Sequence, residues 1–366
     1  MRNVMSWIKV FSIQLIVFFA VLGLVEVGVS LFYEKPESYS LESFIESRPE
    51  PFKDDGEFEQ IVKNFNGKCK APAMLHKDGL TTYANDFSCG GVSYVNGKRL
   101  TLPNNESYKS TIHVFGGSTV WGTGAMDQKT IPSLIASSLT DKKVRVLNYG
   151  ISSFVASQQN NHLKAFLSDV LPGDTVVYYD GANDFWNGVM LGNAGGNIIG
   201  YNIENRFDVY IYIVKNWLSK NLKTYQLLSD IRRGRVGKPI NTCAVNIETA
   251  SQNVEEAALF YASAISEAKS ISESKGASFY HFLQPTLLDV DVLSEYEEMV
   301  ILQDPCWPIA RELKESYDKI FLNYSTISID LSERFNNKNV FFDNVHVSSK
   351  GNKLIASDIL SKLGYK

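Results

Sequence analysis

The chain has 366 residues, 44% hydrophobic and 21% charged. This excludes a disordered or collagen-like polymer and leaves room for one large domain with additions, or for two or three domains. Its 36 Lys and Arg against 40 Asp and Glu give a net charge of -4, which argues against nucleic acid as a partner, because such binders carry a basic face. Four cysteines are too few for a disulfide-built scaffold, and no segment repeats at a solenoid or propeller period.

Arg2 and Lys9 precede a stretch from Val10 to Val25 that holds no charge. At 1.5 Å per residue, roughly 16 residues reach about 24 Å, a little short of a bilayer core of about 30 Å. The apolar pattern continues past Glu26 through Val27, Val29, Leu31 and Phe32, with Trp7 and Tyr33 as bracketing aromatics. Residues 1–33 are therefore expected to form a short inner tip and one uncleaved transmembrane helix. A cleaved signal peptide is the competing reading, but no clear Ala-x-Ala site follows. Positive charge before the span and acidic sequence after it predict the N-terminus inside and the bulk outside. In a bacterium that means a periplasmic, single-pass protein of the inner membrane.

In such an oxidising space Cys69, Cys89, Cys243 and Cys306 allow three pairings, or stay free and buried. Cys69–Cys89 would close a short loop, leaving Cys243–Cys306 to staple the middle of the chain. Residues 34–68, acidic and carrying Pro36, Pro49 and Pro51, read as a juxtamembrane stalk. Residues 69–110 read as an irregular lead-in with a small hairpin around Val92 to Val95.

From Thr111 onward short apolar runs alternate with helical patterns. Ile112 to Phe115 runs into Gly116-Gly117, Val144 to Leu147 into Asn148-Tyr149-Gly150, Thr175 to Tyr179 into Asp180-Gly181, and Phe279 to Leu283 into Gln284-Pro285. Helical patterns cover Ile131 to Leu139, Gln158 to Leu167 and the stretch after Ser251 to Lys275. This alternation predicts an α/β fold, a parallel sheet covered on both faces, over 111–366. The stretch 186–275 does not fit the bare sheet. It reads as an insertion, with an aromatic helical pattern over Phe207 to Leu228 and a basic Arg232-Arg233-Gly234-Arg235 cluster.

Ligands in such sheets bind at the carboxyl ends of strands. The residues there are Gly116-Gly117-Ser118-Thr119, Gly150 and Gly181-Ala182-Asn183-Asp184, followed near the C-terminus by Asp343-Asn344-Val345-His346. These are the parts of an acyl-transfer site. A serine hydroxyl is a weak nucleophile that needs a base, the base needs an orienting group, and a tetrahedral oxyanion needs fixed donors. The order and spacing resemble the SGNH hydrolases of the GDSL esterase/lipase superfamily, over about residues 90–366. Gly-Gly-Ser-Thr replaces the Gly-Asp-Ser of founding members. That departure, with Phe282-Leu283-Gln284-Pro285 and the lead-in from Gly91 to Thr101, is similar to the membrane-anchored bacterial branch.

The resemblance implies a three-layer α/β/α, flavodoxin-like fold. It also implies Ser118 as nucleophile, His346 as general base and Asp343 as its orienting acid. The oxyanion hole would be the N–H groups of Ser118 and Gly150 with the Asn183 side chain. Asp184 reads as structural, His113 and His281 as satisfied core residues, and Trp121, Phe185 and Trp186 equally as sugar-stacking or core rings. His76 and His162 have no partner legible in the sequence. No phosphate loop, dinucleotide fingerprint or metal cluster appears, so no cofactor is expected. The expected function is a membrane-tethered serine esterase that removes or transfers O-acyl, chiefly acetyl, groups on envelope carbohydrate. A non-catalytic module binding a glycan or an assembly partner is the alternative.

Overall fold

A computed structural model describes residues 2–33, 74–77, 80–83, 85–103, 105–195, 201–202, 214, 217–218, 221–232, 243, 245–302 and 304–365. The stalk at 34–68, Cys69 and the Arg233 to Arg235 cluster lie outside the described residues. The chain divides into two compact units, one of Met1–Ser40 and Ile203–Thr242, the other of Leu41–Asn202 and Cys243–Lys366.

The larger unit holds an eight-stranded sheet. Its strands in chain order are β3 (Phe87–Cys89), β4 (Val92–Val95), β5 (Lys98–Arg99), β6 (Ser110–Gly116), β7 (Val144–Asn148), β8 (Thr175–Asp180), β10 (Ser278–Leu283) and β11 (Ser328–Asp330). The spatial order is β11-β10-β8-β6-β7-β5-β4-β3. From β6 onward the five strands are parallel, with β6 and β8 in register from Ile112 opposite Thr175 to Gly116 opposite Tyr179. Taken in chain order, those five strands stand 2-1-3-4-5, the flavodoxin-like arrangement. The lead-in is thus part of the sheet, since β3, β4 and β5 extend it antiparallel beyond β7. A separate three-stranded sheet joins β1 (Met74–Lys77), β2 (Leu80–Tyr83) and β9 (Tyr201–Asn202).

The helices follow in chain order. They are α1 (Arg2–Phe32), α2 (Ser118–Trp121), α3 (Ile131–Ser138), α4 (Ala156–Ala165), α5 (Ala182–Phe185), α6 (Lys223–Arg232), α7 (Ile247–Ser274), α8 (Glu295–Leu302), α9 (Trp307–Tyr324) and α10 (Ser349–Lys362). Two groups pack within the larger unit, α4 with α7 and α9, and α3 with α10. The strands are apolar on both faces, and Val114, Phe115, Val176, Val177, Tyr178 and Phe282 are fully buried. This is the pattern of a parallel sheet with both faces covered.

Local signals set the crossover helices. Thr130 accepts the Ser133 N–H at 3.3 Å and Pro132 follows in the first turn of α3. Asn246 accepts the Thr249 N–H at 3.1 Å and starts α7. That helix buries Ala250, Val254, Ala257, Ala258, Tyr261, Ala264, Ile265 and Ala268, one stripe at a spacing of three and four. The expected insertion at 186–275 is therefore two things. α7 is the crossover between β8 and β10, and only Ile203–Thr242 lies in the other unit.

In the smaller unit α1 runs 31 residues and packs with α6. Among the described residues no helix is long and apolar enough to cross a membrane. Cys243 bonds Cys306 across a sequence separation of 63, with a Cα–Cα distance of 4.6 Å. Cys89 is disulfide-bonded as well.

Candidate active site

Ser118 opens α2 immediately after β6. The chain turns tightly there, and a Cβ on Gly117 would stand 2.4 Å from Asn183 Nδ2, so any side chain at 117 would have to displace the amide. The loop that carries Asp343 and His346 is closed by the isolated bridge between Phe341 and Val347, with the Phe342 N–H donating to His346 O at 3.0 Å.

The three expected catalytic residues meet. Ser118 Oγ lies 2.7 Å from His346 Nε2, and His346 Nδ1 lies 2.7 Å from Asp343 Oδ2. The other carboxylate oxygen, Asp343 Oδ1, accepts the N–H groups of Val345 at 2.8 Å and His346 at 2.7 Å, which fixes the acid within its own turn. The Phe342 ring stacks on the imidazole at 5.6 Å and 17°. Desolvation pushes the Asp343 carboxyl up, but the facing imidazole and these hydrogen bonds outweigh it and hold it below the usual carboxylate value. For His346 desolvation lowers the pKa, and the Asp343 charge and hydrogen bond outweigh it, leaving the ring above its ordinary value.

Asn183 sits in the first turn of α5 and donates Nδ2 to Phe154 O at 2.9 Å, beside Gly117. An amide nitrogen has two hydrogens, so one remains for a ligand. Gly150 is placed differently from the expectation. Its N–H donates to Asn148 Oδ1 at 2.9 Å, and a Cβ there would stand 2.2 Å from Trp121 N. Gly150 therefore lets the β7 loop press against α2, and its N–H is occupied. Three residues on, Ser153 holds φ at +64°, a left-handed conformation uncommon outside glycine. Its N–H has no hydrogen-bond partner among the described residues, and its neighbour Phe154 touches Asn183. The sequence offered no glycine at 153 to draw attention to this turn.

Asp184 is buried and accepts the Ala156 N–H with both oxygens at 3.1 and 3.2 Å, where a carboxylate meets the positive end of α4. Burial, with Asp180 nearby, pushes its carboxyl well up. Trp121 and Phe185 are core rings rather than sugar platforms. Trp121 packs with Val92, Tyr94, Tyr83 and Phe87, and Phe185 has no exposed surface, while Trp186 is half-buried against the main core. His113 is held by Asp174 at 3.2 Å and Tyr149 at 3.3 Å, and His281 by Asp180 at 3.0 Å and Ser328 at 2.7 Å. His162 sits among the rings of Phe115, Tyr149, Phe154 and Phe166, and burial lowers its pKa to about 3, which keeps it neutral.

Other supports were not legible in the sequence. Arg99 is buried against Asp127 at 2.8 Å and donates to Trp121 O and Ala125 O, both at 2.9 Å, so it holds the end of α2 and the loop behind it. Thr119 donates to Gln284 at 3.2 Å, and Tyr296 donates to Phe342 O at 2.9 Å. Asn344 O accepts the Leu287 N–H at 2.9 Å. A cavity of about 490 Å³ beside β5 and β7, lined by Lys98, Tyr108, Arg145 and Asp169 among others, includes none of Ser118, His346 and Asp343. Among the described residues no group of three or more His, Cys, Asp or Glu is placed to hold a metal ion.

No curated protein matches the chain. Solved structures with similarity include the acetyl xylan esterase AlAXEase, at 13% identity over 69% of this chain and 99% of that chain, with a TM-score of 0.40. A lipolytic protein of the G-D-S-L family from Veillonella parvula is 14% identical over 69% and 97%, with a TM-score of 0.36. Est24, a carbohydrate acetylesterase from Sinorhizobium meliloti, is 12% identical over 70% and 99%, also at 0.36. The family described as GDSL-like lipase/acylhydrolase matches residues 112–359, more than half of the sequence, a range that holds Ser118, Asn183, Asp343 and His346. The chain is a member of the GDSL-like lipase/acylhydrolase family.

Proposed function

We propose that the protein is a serine ester hydrolase whose nucleophile is Ser118, acting on O-acyl, chiefly O-acetyl, groups of a carbohydrate at the outer face of a bacterial inner membrane. The observation that carries the reading is the continuous hydrogen-bonded chain from Ser118 Oγ through His346 to Asp343, at 2.7 Å for each link. Ser118 Oγ attacks the ester carbonyl carbon as its proton passes to His346 Nε2. Asp343 favours the imidazolium that forms. The oxyanion is met by the Ser118 N–H, the free Asn183 N–H and the Ser153 N–H, with Gly150 serving the packing of the loop. Collapse breaks the bond to the leaving oxygen, which takes the proton from His346 and leaves acyl-Ser118. Water, deprotonated by His346, then releases the acid. A sugar hydroxyl at the same place receives the acyl group instead, so transfer uses the same residues.

The tether is supported by α1, which exposes Ile13, Ile16, Val17, Phe18, Val21, Leu22, Leu24 and Val25. Burying such side chains in lipid is favourable at about 25 cal/mol per Å² of apolar surface. Acetate release from p-nitrophenyl acetate and from an O-acetylated polysaccharide tests the reading. Ser118→Ala is expected to reduce both to background, and unchanged release by that variant sinks it.

A further inference from the structure

Glu26 is the one acidic residue within α1, and its partners lie nearly two hundred positions away. Glu26 Oε1 accepts the Lys223 N–H at 2.5 Å and Oε2 accepts the Thr224 N–H at 3.0 Å. These are the first two N–H groups of α6, which have no partner within their own helix. Lys223 Nζ also donates to Tyr33 O at 3.5 Å. A carboxylate at the edge of an apolar stretch is costly unless its lone pairs are satisfied, and here two backbone donors satisfy them. The contact therefore does two things. It makes Glu26 tolerable, and it fixes the start of α6 at the height of Glu26 along α1.

That height is defined by the sequence. The uncharged run ends at Val25, and Glu26 stands six residues before Phe32, about 9 Å along the helix axis from its end. If the run occupies the hydrocarbon core, Glu26 and the first turn of α6 lie where hydrocarbon meets headgroups. The described side chains of the 203–242 segment suit that level. Val214, Trp217, Leu228 and Ile231 are more than half exposed, with Leu228 and Ile231 three apart on one face of α6. Indole rings favour the interface, because one edge is apolar and the N–H stays wet.

We propose that α6 and the preceding Trp217 form a membrane-interface element pinned by Glu26, with a phospholipid bilayer as its partner and Trp217, Leu228 and Ile231 inserted at the level of the upper acyl chains. The inference rests on the tether reading of α1 and goes beyond it. It assigns Glu26 as a positioning residue and gives α6, which falls between β8 and α7 in the chain, a lipid contact of its own.

The test uses the full chain reconstituted in phosphatidylcholine vesicles carrying lipids brominated at shallow or deep chain positions. The Trp217 signal is the difference between wild type and Trp217→Phe. Trp217 is expected to be quenched at least twofold more by shallow than by deep bromine and to be shielded from aqueous iodide. Glu26→Ala is expected to lose most of that shallow quenching while the chain still floats with the vesicles. Vesicle-bound protein whose Trp217 is open to iodide and blind to both bromolipids overturns the inference and leaves the tether standing. Shielding from iodide without bromolipid quenching, with dimers in detergent, assigns the face to a second copy and overturns it too. Failure of the wild-type chain to float overturns the tether and the inference together.

Discussion

Replacing Asn183 by alanine removes one donor from the proposed oxyanion site while leaving the catalytic chain of Ser118, His346 and Asp343 in place. Asn183 Nδ2 spends one hydrogen on Phe154 O at 2.9 Å and stands over Gly117. Its second hydrogen is the one assigned to the transition state. Loss of a single such donor costs about 10² to 10³ in kcat, or about 2.7–4 kcal/mol. Loss of the bond to Phe154 O costs a further 1 kcal/mol or so, in folding stability rather than in rate. The two effects separate experimentally. Initial rates on p-nitrophenyl acetate report kcat and KM, and urea denaturation reports stability. The expected result is a large fall in kcat, a small change in KM and a midpoint slightly below wild type. Asn183→Asp is expected to be slower still, because a carboxylate accepts where a donor is needed and repels the oxyanion. A kcat within about threefold of wild type in Asn183→Ala, a threshold far below the 10² expected for a lost donor, would refute the assignment.

Three further outcomes follow from the same geometry. The His346 pKa is raised by Asp343, and the base must be neutral to act, so activity falls as pH drops through that raised value. Asp343→Asn is expected to move this acid limb of the pH–rate profile to lower pH and to lower the plateau by up to about 10⁴; a limb that stays in place contradicts the pairing. Arg99→Ala leaves Asp127 buried without its cation and two backbone carbonyls without donors. The expected loss is about 3–5 kcal/mol in urea denaturation, and a loss below about 1 kcal/mol removes Arg99 as the brace of α2. Opening the Cys243–Cys306 bond, whose sequence separation is 63, is expected to lower stability by about 4 kcal/mol on the loop-entropy account; equal urea midpoints for wild type and the Cys243→Ser/Cys306→Ser double variant would contradict that.

Four of the five parallel strands were legible because each is a short apolar run ending in Gly, Asn, Asp or Gln, a signal that needs no partner to be read, whereas β11, three residues (Ser328–Asp330) with only Ile329 apolar, carries no such run. The residues that meet at the candidate site were legible for a related reason. The sheet places strand ends side by side, so chemistry-bearing residues just after the runs must converge, and Ser118 and Asn183 do. His346 and Asp343 were marked by their three-residue step. What escaped depends on contacts between distant segments. Gly150 carried the right residue type, but its N–H answers to Asn148, two residues back. Ser153 adopts a left-handed turn that its side chain does not advertise. Arg99 looked like part of an irregular lead-in, because β5 is two residues long and draws its meaning from pairing with β7. The span 186–275 lacked apolar strand runs, which hid that α7 is an ordinary crossover with an alanine-rich buried stripe.

The central claim is that Ser118 is an activated nucleophile, and covalent labelling tests it most directly. The full chain in detergent is treated with a fluorophosphonate, and the adduct is located by mass spectrometry in wild type and His346→Ala. The account predicts one adduct, on Ser118, that His346→Ala reduces by at least two orders of magnitude. A folded wild-type chain that takes no label, or takes it on another residue, would contradict the account and favour a binding module built on the same fold.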